Sequence, residues 1–526
     1  MHTSSSQTRL NRFLDAGHAP LLGDFLCGVE KESLRVNTEG SIAQTPHPRG
    51  LGSALTHPWI TTDFSEALLE LITPPLASME DVLGFLRELH RFVYAHLGDE
   101  YLWATSMPCV VTGEEGIPIA RYGSSNAGRM KHIYRVGLSH RYGRMMQAIS
   151  GVHFNFSLSD RFWEALQALE EDPLPRQDFV SDNYFRLIRN LQRIGWLVPY
   201  LFGASPAVCK SFLQGQPGSL AAFDAGTYFS PYATSLRMGD IGYQNNRGHE
   251  IGVRASYDNL DEYVKSLTHA INTPYPGYER IGVKVNGEYR QLNANILQIE
   301  NEYYTTVRPK QIVQNGEKPT LALKRRGVRY IELRSLDVNA YEPLGIGLDQ
   351  MRFLHLLMLW CLFEDSPRIR PWEQSEIDNN EMLAAHRGRE PGLVIVRNGE
   401  PVTLQQWARA ICDALEPIAA ALDVGKPDAP YARTLAMQRN AVEDPECTPS
   451  ARMLREMRDN GESFHAFAKR MSFQHRAWFR AQAPDVELER RLEELTVKSL
   501  AEQREKEEAD TLSFDEYLER YFAQSL

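Results

Sequence analysis

The most restrictive stretch of the 526-residue sequence is Val152-His153-Phe154-Asn155-Phe156-Ser157-Leu158, which alternates apolar and polar residues without a break. Successive side chains of an extended strand point to opposite faces, so the segment predicts a strand with Val152, Phe154, Phe156 and Leu158 in a core. His153, Asn155 and Ser157 then share a polar face. A half-polar strand of this kind belongs in a sheet with one covered and one open side, and the rest of the chain has to supply its neighbours.

Four further segments fit that role. In Gly28-Val29-Glu30-Lys31-Glu32-Ser33-Leu34-Arg35-Val36 an extended backbone points Glu30 and Glu32 to one side. The stretch from Thr62 to Ile72, stopped by Thr73-Pro74-Pro75, supplies Asp63, Glu66 and Glu70, with Glu66 and Glu70 sharing a face in either helix or strand. Ile296 to Tyr304 aligns Gln298, Glu300, Glu302 and Tyr304 if it stays extended. In Tyr330-Ile331-Glu332-Leu333-Arg334-Ser335-Leu336-Asp337, Glu332 and Arg334 stand side by side above an apolar face.

Turn chemistry argues that the sheet is largely antiparallel. Asn286-Gly287 and Asn398-Gly399 each sit between short runs suited to a tight type I′ hairpin. Ser205-Pro206 reads as an N-cap followed by proline at the first helical position. Thr403-x-x-Gln406 reads as a capping box opening a helix through Trp407, Ile411, Leu415, Ile418 and Leu422, with Pro417 inside it. Beyond about Glu364 the sequence becomes mostly helical and highly charged. The expected organisation is α+β: a helical lead-in over 1–27, a catalytic unit over 28–365 and a helical region over 366–526. Within the last, Asp485 caps a helix from Val486 to about Asp510 that reads as a solvated surface element.

Composition narrows the function classes. With 43% hydrophobic residues the chain can bury a large core. A formal net charge of −11 and the lack of a basic, aromatic-interleaved run argue against nucleic acid as a partner. The polar start and the shortness of the apolar run Phe353 to Phe363 argue against export and membrane insertion, so the expected location is the cytoplasm. Six scattered cysteines without a CxxC pair read as structural thiols in a reducing compartment, with no redox role.

Recurring paired acids on strand faces are the strongest chemical signal. One such pair is most often a solvated face, and Glu332 with Arg334 by itself is as readily a cross-strand ion pair. Several pairs converging on one sheet face would need a hard cation, and Mg²⁺ suits oxygen ligands that also face a nucleotide's phosphates. No GxxxxGK[ST] or GxGxxG phosphate loop occurs, and neither HExxH nor GxSxG is present. The residues alone remain compatible with a metal-dependent phosphohydrolase, or with a scaffold built on the charged helices.

The motifs Gly28-x-Glu30-x-Glu32-x-Leu34-Arg35, Trp59-Ile60-Thr61-Thr62-Asp63-Phe64-Ser65-Glu66-Ala67-Leu68-Leu69-Glu70 and Tyr330-Ile331-Glu332-Leu333-Arg334-Ser335-Leu336-Asp337 resemble the proteobacterial type of glutamate-cysteine ligase. Further matching stretches are Ile149-Ser150-Gly151-Val152-His153, Ala233-Thr234-Ser235-Leu236-Arg237 and Leu297-Gln298-Ile299-Glu300-Asn301-Glu302. Lys31 stands where arginine is common.

The resemblance implies a glutamine-synthetase-like fold with a curved, mainly antiparallel sheet flanked by helices. It implies ATP-dependent joining of the glutamate γ-carboxylate to the cysteine amine through γ-glutamyl phosphate, the first step of glutathione synthesis. Mg²⁺, with Mn²⁺ as an alternative, is then held by Glu30, Glu32, Asp63, Glu70, His153 and Glu332. Arg334, Glu32 and Glu332 are the catalytic expectation, and Arg334 and Glu300 meet the nucleotide. Phe64, Tyr134, Gln147, Tyr243 and Tyr304 enclose cysteine, and Arg237 faces the glutamate α-carboxylate. The implied partners are L-glutamate, L-cysteine and ATP, with neither nucleic acid nor membrane and a monomer as the expected state. Another carboxylate-amine ligase with a different acceptor is the nearest rival.

Overall fold

A computed structural model describes residues 5–216, 218–242, 254–314 and 316–524. Its centre is a sheet of seven strands: β1 (Phe25–Val36), β2 (Ile60–Thr62), β3 (Leu68–Ile72), β4 (Tyr101–Leu102), β5 (Gly151–Leu158), β6 (Val307–Lys310) and β7 (Tyr330–Asp337). The spatial order is β6-β7-β5-β1-β3-β2, with β4 paired to the end of β1. All pairings are antiparallel.

The alternation that predicts β5 is realised in its register. Phe154 and Phe156 lie opposite Val29 and Cys27 of β1, and opposite Leu333 and Ile331 of β7. These residues form the covered face and are buried together. The nearly all-buried helix Leu348–Phe363 packs on this side, with His355 against Phe25 and Phe156. The helix Met79–His96 covers β1 and β3, capped by Ser78, whose hydroxyl accepts from the Asp81 amide.

Lys31 is an exception on this apolar face. It is buried, its Nζ lies 2.9 Å from Nε2 of His90, and burial lowers its pKa to about 7.

Both Asn-Gly hairpins form, joining Lys284–Val285 to Glu288–Tyr289 and Val394–Arg397 to Glu400–Thr403. Asn286, Gly287, Asn398 and Gly399 all have positive φ, as a type I′ turn requires. The Thr403–Gln406 capping box opens the helix Leu404–Leu422, which runs on through Pro417. One hydrophobic cluster reaches from Leu10 through the sheet to Ile411 and Leu492, so the helices after Asp365 share the core of the sheet. Among the described residues no helix is long and apolar enough to cross a membrane.

Four expectations are corrected. Ser205-Pro206 opens no helix: Ala207–Cys209 is a strand paired with Thr227–Phe229, so sheet pairing overrides the local cap signal. The Ile296–Tyr304 stretch is not an extended stripe, because Glu300–Glu302 winds into a 3₁₀ turn. There Glu302 swings to Arg141, 2.8 Å away and equally buried. The cysteines are not all lone thiols, since Cys109 and Cys209 are joined in a disulfide with their Cα atoms 5.4 Å apart. The helix Val486–Ala509, capped by Asp485 as expected, is anchored through buried Leu492 and Ser499 rather than wholly solvated.

Candidate active site

The polar face of the sheet gathers the acids because the register aligns them. Glu30 on β1 lies opposite His153 on β5, Glu32 lies opposite Glu70 on β3, and Glu332 on β7 lies opposite Asn155 on β5 and Arg308 on β6. The His153 ring stands in the middle. Its Nδ1 is 3.2 Å from Glu30 Oε2 and 3.5 Å from Glu332 Oε1, and its Nε2 is 3.6 Å from Glu32 Oε1. Asn155 Nδ2 donates to Glu30 Oε1 at 2.9 Å, and the Gly151 amide donates to Glu32 Oε2 at 2.6 Å. One ligand atom from each of Glu30, His153 and Glu332 falls within 4.8 Å of the others.

These side chains line a cavity of about 500 Å³ together with Asp63, Glu70, Lys131, Arg135, Arg308, Lys310 and Arg334. Arg334 Nη1 pairs with Glu332 Oε1 at 3.0 Å, and Lys310 Nζ with Glu332 Oε2 at 3.5 Å. Arg135 lies 3.9 Å from the Asp63 carboxylate.

The charges are unevenly balanced across this floor. Burial acts to raise Glu332, but Lys310, Arg334 and His153 outweigh it and hold the carboxyl well below its usual range. Burial likewise acts on Glu30, and the hydrogen bond from His153 turns the balance, so its pKa is lowered. At the other edge burial prevails, with Glu32 raised and Glu70 raised well above the ordinary value by desolvation and by the charges of Glu30, Asp63 and Glu32. Near β7 the cations outweigh burial, whereas at Glu32 and Glu70 burial and neighbouring acids outweigh the pull of His153 and Arg334.

A smaller pocket of about 90 Å³ opens beside the cavity, lined by Phe64, Tyr134, Gln147, Glu302 and Tyr304. Asp63, Tyr134, Arg135, Asn301, Arg308 and Arg334 line both spaces. The two spaces therefore adjoin along these six residues, Arg334 among them.

Not every candidate from the sequence lies on these walls. Arg237 is buried behind them, its Nη2 donating to the Arg334 carbonyl at 2.9 Å and its Nη1 3.7 Å from Asp337 Oδ1. Glu300 is buried against Thr320, whose hydroxyl donates to its Oε1 at 2.6 Å. Glu66 does not share a face with Glu70: it sits in the turn before β3 and accepts from the backbone amides of His47 and Arg121. Tyr243 lies outside the described residues.

The cationic walls were missed in the sequence. Arg308 and Lys310 alternate along β6 and so face Glu332 together, and Lys131 and Arg135 stand one turn apart on the helix Asn126–Tyr142. Both spacings are visible in the sequence but gain meaning only once β6 is placed beside β7.

Residues 10–383 match the family model described as glutamate-cysteine ligase. The glutamate-cysteine ligase of Alcanivorax borkumensis is 49% identical over 521 residues, covering 98% of this chain and 99% of the relative. That of Pseudomonas aeruginosa PAO1 is 49% identical over 511 residues, covering 97% of this chain and 96% of the relative. Among solved structures, glutamate-cysteine ligase from Francisella tularensis in complex with AMP superposes with a TM-score of 0.88 at 37% identity, covering 95% of this chain and 97% of that one. A sheet with this register and these motifs, matched over nearly its whole length, makes the chain a member of the glutamate-cysteine ligase family.

Proposed function

We propose that the protein joins the γ-carboxylate of L-glutamate to the amine of L-cysteine at the expense of ATP, in the cytoplasm, as the first step of glutathione synthesis. The observation that carries this reading is the junction of two spaces at Arg334: an acid-floored cavity large enough for a nucleotide and a small pocket walled by Phe64, Tyr134, Gln147 and Tyr304. The relative from Francisella tularensis was solved in complex with AMP, which supports an adenine nucleotide as a ligand of this chain.

The residues present fit a divalent ion. Asn155 Oδ1 is buried without a hydrogen-bond partner beside them, and the donor set of carboxylates with one imidazole suits Mg²⁺ or Mn²⁺. In this reading Glu30, His153 and Glu332 hold one ion, and Glu32, Asp63 and Glu70 supply the remaining carboxylates. When bound, the ion neutralises phosphate charge so that nucleotide and glutamate can approach each other.

A carboxylate is a poor acyl donor, so a glutamate side-chain oxygen first attacks the γ-phosphorus and ADP leaves. The amine of cysteine then attacks the acyl carbon, loses a proton and expels phosphate, giving γ-glutamylcysteine. Arg334, held by Glu332, meets the equatorial oxygens of the phosphoryl group in flight and keeps the carboxylate in line. Arg237 positions Arg334 through the Arg334 carbonyl. The aromatic walls of the small pocket exclude water from the acyl phosphate.

The test is an acceptor panel with ATP, Mg²⁺ and glutamate, following ADP and product mass. Cysteine is expected to give γ-glutamylcysteine with one ADP per product. Phosphate release independent of any amine, or a different preferred acceptor, would overturn the assignment.

A further inference from the structure

The cavity is completed by residues from the far end of the chain. Lys506 and Tyr517 line it together with Leu55, Ala127, Met130, Ile299 and Gly316. Lys506 belongs to the helix Val486–Ala509, and Tyr517 to the short helix Phe514–Phe522 that follows.

Specific contacts hold this helix pair in place. The Ser53 amide donates to Ser499 Oγ at 3.1 Å and the Thr56 hydroxyl to the Ser499 carbonyl at 2.6 Å. The Ser124 amide donates to Glu507 Oε1 at 2.8 Å, and Asn126 Nδ2 to the Leu512 carbonyl at 3.0 Å. Phe514 and Leu518 bury themselves on Met130 and Leu292, and Arg129 lies 4.4 Å over the Phe514 ring. Lys318 Nζ donates to the carbonyls of Phe522 and Gln524 at 2.9 and 3.0 Å.

Lys506 is the side chain this anchoring leaves unused. Its neighbour one turn earlier, Glu502, is paired with Lys498 at 3.6 Å, and the acid one turn later, Asp510, accepts from the Asn126 amide. Lys506 itself makes no hydrogen bond or ion pair among the described residues, and it is half-buried on the cavity wall. An ammonium so placed, in a space already carrying Lys131, Arg308 and Lys310, suits an anion. Tyr517, stacked on Phe514 at 6.5 Å between centroids, offers an aromatic ring beside Met130 and Ile299, as a purine requires.

We propose that the C-terminal helix pair is a wall of the nucleotide site, with Lys506 on a phosphate of ATP and Tyr517 against the purine. Nucleotide binding and docking of this pair are then linked, each strengthening the other by the same factor. The inference rests on the reading of the larger cavity as the ATP site.

Calorimetry of Mg²⁺-ATP binding to the full chain tests it, alongside steady-state kinetics. Lys506→Met is expected to weaken ATP binding about tenfold, and Tyr517→Leu by a similar factor, with KM for glutamate and cysteine unchanged. Lys506→Arg should restore most of the loss. Hydrogen exchange across 486–524 should slow when wild-type protein binds ATP.

A wild-type protein that makes γ-glutamylcysteine while both variants bind ATP normally would overturn the inference and leave the function standing. A protein that binds ATP through Lys506 but does not ligate cysteine would overturn the function and leave the inference. A wild-type chain that binds no nucleotide sinks both.

Discussion

Glu32 and Arg334 act on the same problem from opposite sides. Glu32 takes a backbone hydrogen bond from Gly151 and looks across to Glu70, while Arg334 is fixed on Glu332 above the mouth of the small pocket. Glu32→Gln and Arg334→Ala are each expected to lower kcat by about 10²–10³-fold, the size seen when one preorganised charge is removed from a transition state. The melting temperature should change little, because neither side chain supports the apolar core. Wild-type kcat in either variant, with the fold verified by circular dichroism, would contradict the assignment. Lys31 follows a different logic at the next position: its alternation with Glu30 and Glu32 turns it into the covered face, so it belongs to packing and not to the site.

At the scale of elements, the Cys109–Cys209 bridge links the chain after β4 to the short strand Ala207–Cys209 and closes a loop of 100 residues that contains β5. Restricting so long a loop in the unfolded chain stabilises the fold by about 2–4 kcal/mol. Replacing both cysteines with serine should lower the denaturant midpoint accordingly and leave kcat near its original value. An unchanged midpoint, or equal melting with and without reductant, would count against the bridge. Nothing local announces this pairing, since the two residues are far apart in sequence and share no spacing motif.

Legibility follows the same division elsewhere. β5 and the two Asn-Gly hairpins were readable because alternation and positive φ are local properties. Ser205-Pro206 misled because its cap signal is local but the strand that pairs with it begins at Thr227. Glu302 misled because Arg141, on another element, draws it out of the expected stripe. Of the residues lining the candidate cavity, Glu30, Glu32, His153, Glu332 and Arg334 were legible as alternating polar positions, whereas Glu70 was read through Glu66, which lies elsewhere. Lys506 was not, standing among many charges on a long helix.

For the whole molecule, several histidines are buried uncharged. Burial lowers His47 and His355 to about 3, and His57 and His475 to about 4. In the unfolded chain the same rings titrate near 6.5. Between pH 6.5 and about 4 the unfolded state therefore binds more protons, and stability falls as pH falls, each ring contributing up to about 1.4 kcal/mol per pH unit. Urea midpoints measured from pH 6.5 down to 4.5 should fall, the raised carboxyls of Glu32, Glu70 and Glu381 offsetting part of the drop. A midpoint that stays level to pH 4.5 would mean that these rings become charged without unfolding the protein.

The order β6-β7-β5-β1-β3-β2 has a consequence for how the protein is born. A ribosome delivers Glu30, Glu32, Glu70 and His153 long before Arg308, Lys310 and Arg334 emerge, because β6 and β7 join the sheet from late in the chain. The nascent half-sheet thus carries Glu30, Glu32 and Glu70 before Arg308, Lys310 and Arg334 exist to balance them.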